Sequence, residues 1–460
     1  MNTNTASAQV SQGDMNKTAP NSLFPILSIG LLFFIFGFVT WLNGALIPFL
    51  QMVCQLSEIE ALFIAFCFYV AYVVMALPMA KILEHTGYQK GMSLGLVMIA
   101  VGSLLFVPAA LTQTFGVFLL AQFVVGSGLT ILQTASNPFI VRLGSQDSAA
   151  ARIAFMGLLN KGAGVVAPIV FTALVLGDFV GVSQVSLAQM DDMARAQQID
   201  EMAIKLIQPY VGMAIALVLL AVVFVKIPLP EIDFESSDTA NNEQQETGSI
   251  WQFPHLILGA ITLFFYVGVE VVAGDTIGLY GSALGVENAT SLTSFTMAAM
   301  VLGYVLGLLL IPRYISQSRA LLGSALLGIG FSVAIVFGSN DSMVLSQLLW
   351  GWLGLPAIPD TVTFIALLGL ANAMVWPAIW PLALDGLGKW TPQGSAILIM
   401  GIAGGAVFPL LYGVLAQSLG AGDAHAAGDV SGSQTAYLML IPCYGFIAYY
   451  ALLGHKKRSW

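Results

Sequence analysis

The sequence predicts an all-α membrane protein of twelve transmembrane helices in two six-helix lobes. Three observations lead there. First, 58% of the 460 residues are hydrophobic and only 8% are charged, with a mean hydropathy of +0.87. Soluble domains carry roughly 25% charged residues. Second, twelve apolar runs are each long enough to cross a bilayer, which takes about 20 residues. Third, Leu32-Phe33-Phe34-x-x-Gly37 recurs as Leu263-Phe264-Phe265-x-x-Gly268, 231 residues later, each copy inside a long apolar run. A parallel internal repeat points to duplication of a six-span unit.

The runs lie near 22–50, 60–83, 90–112, 115–141, 153–176, 208–228, 254–281, 290–312, 319–338, 361–385, 393–418 and 434–454. Loop charge sets their direction. With the N-terminus inside, twelve lysines and arginines fall on the inner side, against Arg195 and Lys205 on the outer side. Both termini are therefore expected in the cytoplasm. Residues 1–21 read as a disordered cytoplasmic tail, 22–228 as the N-terminal lobe and 229–250 as a linker of Glu, Asp, Ser, Asn and Gln. Residues 251–454 form the C-terminal lobe and 455–460 a second short tail. The polar stretch Met190 to Lys205 is expected to form a helix on the outer surface.

Several functions are excluded. The net charge of -9 comes without a basic patch interleaved with aromatics, so nucleic acid is no partner. Cys54, Cys67 and Cys443 match neither a metal-ligand spacing nor a disulfide framework. No loop carries the acidic metal-binding pair of a lipid-linked sugar enzyme, so catalysis is not expected. A membrane sugar sensor is the alternative of another class, but both tails are too short for a signalling domain.

Five motifs carry a resemblance. Ala80 to Lys90, with Glu84, Gly87 and Lys90, is similar to the inner-loop motif of the major facilitator superfamily, whose acid and bases latch an inner gate. Ala80 and Glu84 depart from the usual Gly and Asp there. Thr40-Trp41-Leu42-Asn43-Gly44 closes span one, and Gln133-Thr134-Ala135-Ser136-Asn137-Pro138 closes span four. Tyr266-Val267-Gly268-Val269-Glu270-Val271 lies in span seven, and Ala373 to Leu382 in span ten. Together these resemble the fucose–galactose–glucose symporter family, in particular its glucose/galactose branch, from about Leu23 to Tyr450. The resemblance implies cation-coupled uptake of a glucose- or galactose-like hexose across a bacterial inner membrane. An N-acetylglucosamine carrier is the alternative within the class. The proton-coupled fucose branch has acids where this chain has Gly44 and Gln133. Neither can take a proton, so the resemblance favours sodium. No cofactor is implied, and the expected unit is a monomer in the lipid bilayer.

Sugars need amides and hydroxyls for their OH groups and aromatic faces for their C–H faces. Gln133 and Asn137 share a face at i, i+4. Asn372, Trp376 and Trp380 form a similar stripe, and Asn43, Asn160 and Tyr266 add further polar groups. Any single amide is also consistent with interhelical packing. For the cation, Glu270 and Asp275 are the candidate carboxylates. Glu270 stands about 16 residues, or roughly 24 Å, into span seven, past the midplane. Three roles stay open for it: cation ligand or proton carrier, sugar ligand, or structural partner of Lys161. Lys161 stands only about 14 Å from the inner end of span five, so a direct pair with Glu270 is not expected. Asp275 is expected to meet outer water. It stands roughly 140° around the helix from Glu270, so a shared cation would need unwinding at Gly274, with Thr276 and nearby carbonyls completing the shell.

Overall fold

The computed structural model describes residues 23–142, 149–179, 182, 186–187, 189–227, 249–311, 314–387, 390–420 and 430–460. Among them are twelve helices or helix pairs long and apolar enough to span a membrane. The expected N-terminal tail and most of the linker lie outside the described residues. The face at the start of the first helix is called inner here, following the basic-residue count.

The first span is broken in two, α1 (Leu23–Trp41) and α2 (Asn43–Val53), jointed at Leu42. Next come α3 (Glu58–Thr86), α4 (Tyr88–Thr112), α5 (Phe115–Arg142) and α6 (Ala149–Val175). The outer surface helix α7 (Asp192–Lys205) then leads into α8 (Ile207–Lys226). In the second lobe, span seven is again two pieces, α9 (Pro254–Asp275) and α10 (Ile277–Ala283). It is followed by α11 (Thr293–Leu310), α12 (Gln317–Phe337) and the short outer helix α13 (Val344–Trp350). The last three spans are all broken: α14 (Asp360–Asn372) with α15 (Val375–Leu384), α16 (Thr391–Met400) with α17 (Gly404–Gly420), and α18 (Ser431–Ala436) with α19 (Leu440–Leu452). Broken spans free backbone groups at membrane depth, which is tolerated where they face protein or a binding site.

Local sequence explains the ends. Ser57 and Glu60 form a reciprocal capping box that starts α3. Asp191 accepts from the Ala194 amide to start α7. Gly87, at φ 76°, makes the turn between α3 and α4 that an L side chain would resist. Two residues on, the Gln89 amide donates to the carbonyls of Phe224 (2.8 Å) and Ile227 (2.7 Å). It thereby satisfies orphan acceptors where α8 ends. The inner-loop motif thus ties helices within one lobe together. At the inner end of the second lobe, the C-terminal Arg458 pairs with Asp385, and Trp460 donates to the Trp251 carbonyl (2.6 Å).

The repeat has a packing reason. A Cβ on Gly37 would overlap the Asn160 backbone of α6, and one on Gly268 would overlap the Phe408 ring of α17. The two glycines let the first helix of each lobe approach its fifth partner closely. The lobes meet through α2 against α10, α6 against α11, and α3 against α17. On the outer side, Thr172 and Thr290 share a hydrogen bond at 2.7 Å, and Ser433 donates to Glu58 at 3.0 Å. Nearer the middle, Ser294 donates to the Val165 carbonyl at 2.7 Å.

This packing predicts that Gly37→Ala destabilises the protein by about 1–3 kcal/mol, the usual range for overpacking. Gly212→Ala on α8, where a Cβ would meet nothing within 4 Å, should be neutral or slightly stabilising. Melting in detergent checks both.

Candidate functional site

The chemistry gathers where the two broken first helices face each other. Lys161 on α6 forms an ion pair with Glu270 on α9, and their side chains are only 10% and 8% exposed. This corrects the depth argument made from sequence. α6 starts at Ala149 rather than 153, which places Lys161 about 18 Å along its helix against about 24 Å for Glu270. The remaining gap is within reach of a flexible four-carbon stem. Of the three roles open for Glu270, the geometry supplies the pair with Lys161.

Each member also has a partner within its own lobe. The Lys161 ammonium sits 4.5 Å from the centroid of the Trp41 ring at the end of α1. That cation–π contact is worth 2 kcal/mol or more when desolvated, to order of magnitude. Glu270 has the Tyr266 hydroxyl beside it, one turn earlier on α9. Trp41 is wedged between glycines: a Cβ on Gly164 would lie 2.7 Å from its ring and one on Gly274 2.5 Å. Gly274 therefore makes room for Trp41 and does not unwind the helix, because α9 runs through it to Asp275.

Asp275 differs from expectation too. It is 0% exposed, and neither carboxyl oxygen has a hydrogen-bond partner among the described residues. Outer water is kept away because α2 packs against α10 over this joint. The oxygens expected to share a cation with it are engaged. The Thr276 hydroxyl donates to the Val272 carbonyl (2.6 Å) and lies 2.7 Å from the Tyr437 hydroxyl. The Gly274 carbonyl accepts from Thr293 (2.7 Å).

The candidate sugar residues divide. Gln133 donates to the Tyr72 hydroxyl at 2.8 Å and stays partly accessible. Tyr72 in turn stacks on Tyr69, with centroids 6.3 Å apart. Trp376, at the start of α15, contacts Trp380 (5.6 Å) and Tyr266 (6.2 Å). The Tyr266, Trp376 and Trp380 rings thus form one run of contacts, with Tyr266 one turn from Glu270. The other amides are already engaged by the scaffold. The Asn43 oxygen accepts from Gln122 (2.7 Å), and the Asn372 oxygen accepts from Tyr444 (2.8 Å). The Asn160 amide points to the Phe33 carbonyl (3.4 Å). Asn43 and Asn372 are both buried, and the NH2 group of each lacks a partner among the described residues. The break between α14 and α15 at Ala373 and Met374 interrupts the expected Asn372–Trp376–Trp380 stripe after its first member.

The side chains of Asn137 and Glu84 lie outside the described residues. Lys90 is exposed and forms no ion pair among the described residues. Sequence reasoning missed Tyr69 and Tyr72, an i, i+3 pair on α3. Their spacing inside an apolar span was the available signal. Trp41 stood in the span-one motif with no role of its own, and only tertiary structure shows the cation over its ring.

The Major Facilitator Superfamily pattern matches residues 29–446. The glucose/galactose transporter of Brucella abortus is 34% identical over 434 residues, covering 94% of this chain and 95% of that protein. A putative glucose/galactose transporter of Helicobacter pylori is 32% identical over 436 residues, covering 94% and 97%. Among solved structures, the fucose:proton symporter of E. coli superposes with a TM-score of 0.66 at 22% identity, over 96% of this chain and 100% of that one. This last likeness speaks for the fold alone.

The site geometry separates the two carboxyls by their partners. Glu270→Gln leaves the Lys161 ammonium buried without its counter-charge and should cost about 3–5 kcal/mol. Asp275→Asn removes a charge that has no partner, so it should leave the melting temperature unchanged or raised. Thermal unfolding of the two purified variants checks this contrast.

Proposed function

Because the chain belongs to the Major Facilitator Superfamily, we propose that it takes up a glucose- or galactose-type hexose together with a monovalent cation. The proposed cycle is alternating access across a bacterial inner membrane, with both termini in the cytoplasm and a monomer as the working unit. The named activity of relatives at 34% and 32% identity over most of the chain supports the sugar class. Gln133, with Tyr72 behind it, supplies hydrogen bonds to sugar hydroxyls, and Trp376 and Tyr266 supply ring faces. A glucose-type pyranose presents axial C–H groups that suit such faces, while its equatorial hydroxyls suit the amide. An N-acetylhexosamine keeps these features with an acetamido group in place of one hydroxyl, so a sugar panel separates the two.

The single observation that carries the coupling half of this reading is the buried Asp275, whose carboxyl oxygens have no hydrogen-bond partner among the described residues. An isolated carboxylate inside a membrane protein costs several kcal/mol or more unless it holds a proton or a cation. Glu270, already matched by Lys161, has no such need. Asp275 is therefore the proposed exchange group, and sodium is its proposed ion, as a hard cation suited to oxygen ligands. A proton at Asp275 is the second reading. It is favoured by the prior engagement of Thr276 and Gly274, which a sodium shell would have to recruit.

Purified protein in liposomes, given labelled hexoses under separately imposed sodium and proton gradients, tests this function. Accumulation driven by sodium alone supports the first reading, and accumulation driven by a proton gradient in sodium-free buffer the second. Asp275→Asn should lose accumulation while retaining sugar counterflow. If it still concentrates sugar as the parent does, Asp275 is not the exchange group. Gln133→Ala should raise the sugar KM at least tenfold, and an unchanged KM would remove Gln133 from the site.

A further inference from the structure

The Lys161–Glu270 pair joins helices from opposite lobes. Lys161 belongs to α6, in the N-terminal lobe, and Glu270 to α9, in the C-terminal lobe. Its surroundings on α6 are those of the outer seal. Val165, one turn further out, accepts from Ser294, and Thr172, two turns beyond that, bonds Thr290. Any motion that opens the outer face must draw this part of α6 away from α11 and the adjoining turn, and Lys161 moves with it.

Both charges are provided for when that happens. Trp41 is in the same lobe as Lys161, and Tyr266 is on the same helix as Glu270. The cation–π contact and the neighbouring tyrosine hydroxyl each lie within one lobe, so both persist when the lobes part, and only the ion pair is lost. A pair meant solely to hold a fold together needs no such second partners. Removing either charge alone leaves the other buried in the closed state, whereas removing both does not.

We propose that Lys161 is a tethered counter-cation that latches the lobes: over Trp41 throughout, it pairs with Glu270 when the outer face is closed and releases it when that face opens. The latch rests on the alternating-access reading given above but not on the identity of the sugar or of the coupling ion. Its role is positional, since it sets which face is open and does not itself carry the coupling ion.

The test reads the closed outer face directly. In a protein with Cys54, Cys67 and Cys443 replaced by serine, Thr172→Cys and Thr290→Cys place two thiols where the hydroxyls now touch. The rate of their oxidative cross-linking in liposomes, without sugar, reports how often the outer face is closed. Lys161→Gln or Glu270→Gln should each slow cross-linking at least tenfold. The double variant Lys161→Gln with Glu270→Gln should lose less than either single variant, because no unmatched charge remains. Single-variant rates within twofold of the parent would overturn the latch. So would a double variant slowed by the product of the two single effects, because the residues would then act independently. If a single variant does not fold, the exchange Lys161→Glu with Glu270→Lys replaces it. That variant should return the rate to within about threefold of the parent, and failure to do so would overturn the proposal. Loss of sodium or proton coupling leaves this readout untouched, so the function and the latch fail separately.

Discussion

A buried ion pair across two lobes is the constraint around which the rest of this molecule is arranged. Lys161 and Glu270 sit at membrane depth, where neither charge is stable alone. Their pairing brings α6 and α9 together, with the Trp41 ring on the lysine side and Tyr266 beside the carboxylate. Trp41 in turn needs glycine at 164 and at 274 to fit. The joints that end α1 and α9 lie beside these residues, so the backbone breaks and the buried charges form one assembly.

Duplication explains the frame but not the chemistry. Gly37 and Gly268 perform the same task in the two lobes, admitting a neighbouring helix to close range. In the register of the repeat, Gly44 corresponds to Asp275 and Val39 to Glu270. Gly44 lies against Thr293 and the Gly274 carbonyl, in contact with the very joint that carries Asp275. One copy thus supplies the smooth surface and the other the acid. The lysine that answers Glu270 comes from α6, outside the repeated motif.

The fold was legible because its determinants are local. Apolar run length, loop charge and the repeated glycine motif depend on sequence alone, and all twelve spans follow from them. The outer surface helix was also legible, from a polar stretch that starts after the Asp191 cap. The site was legible only in part. Glu270, Gln133 and Trp376 stood out as polar or aromatic groups in apolar runs, and the structure sets them against Lys161, Tyr72 and Tyr266 respectively. The pair with Lys161 was not legible, since a four-residue error in where α6 begins moves a side chain by about 6 Å. The burial of Asp275 was hidden for another reason: what covers it is α2, from the opposite lobe. Gly274 likewise looked like a hinge until the Trp41 ring was found against it.

The account turns on a contact that should exist in one state and not in the other. The most direct measurement is an experimental structure of this protein with its outer face open, resolved well enough to place the Lys161 and Glu270 side chains. The latch predicts the Lys161 ammonium beyond hydrogen-bond reach of Glu270 and still over the Trp41 ring, with Tyr266 still beside Glu270. An outward-open structure in which the ion pair is intact would contradict it.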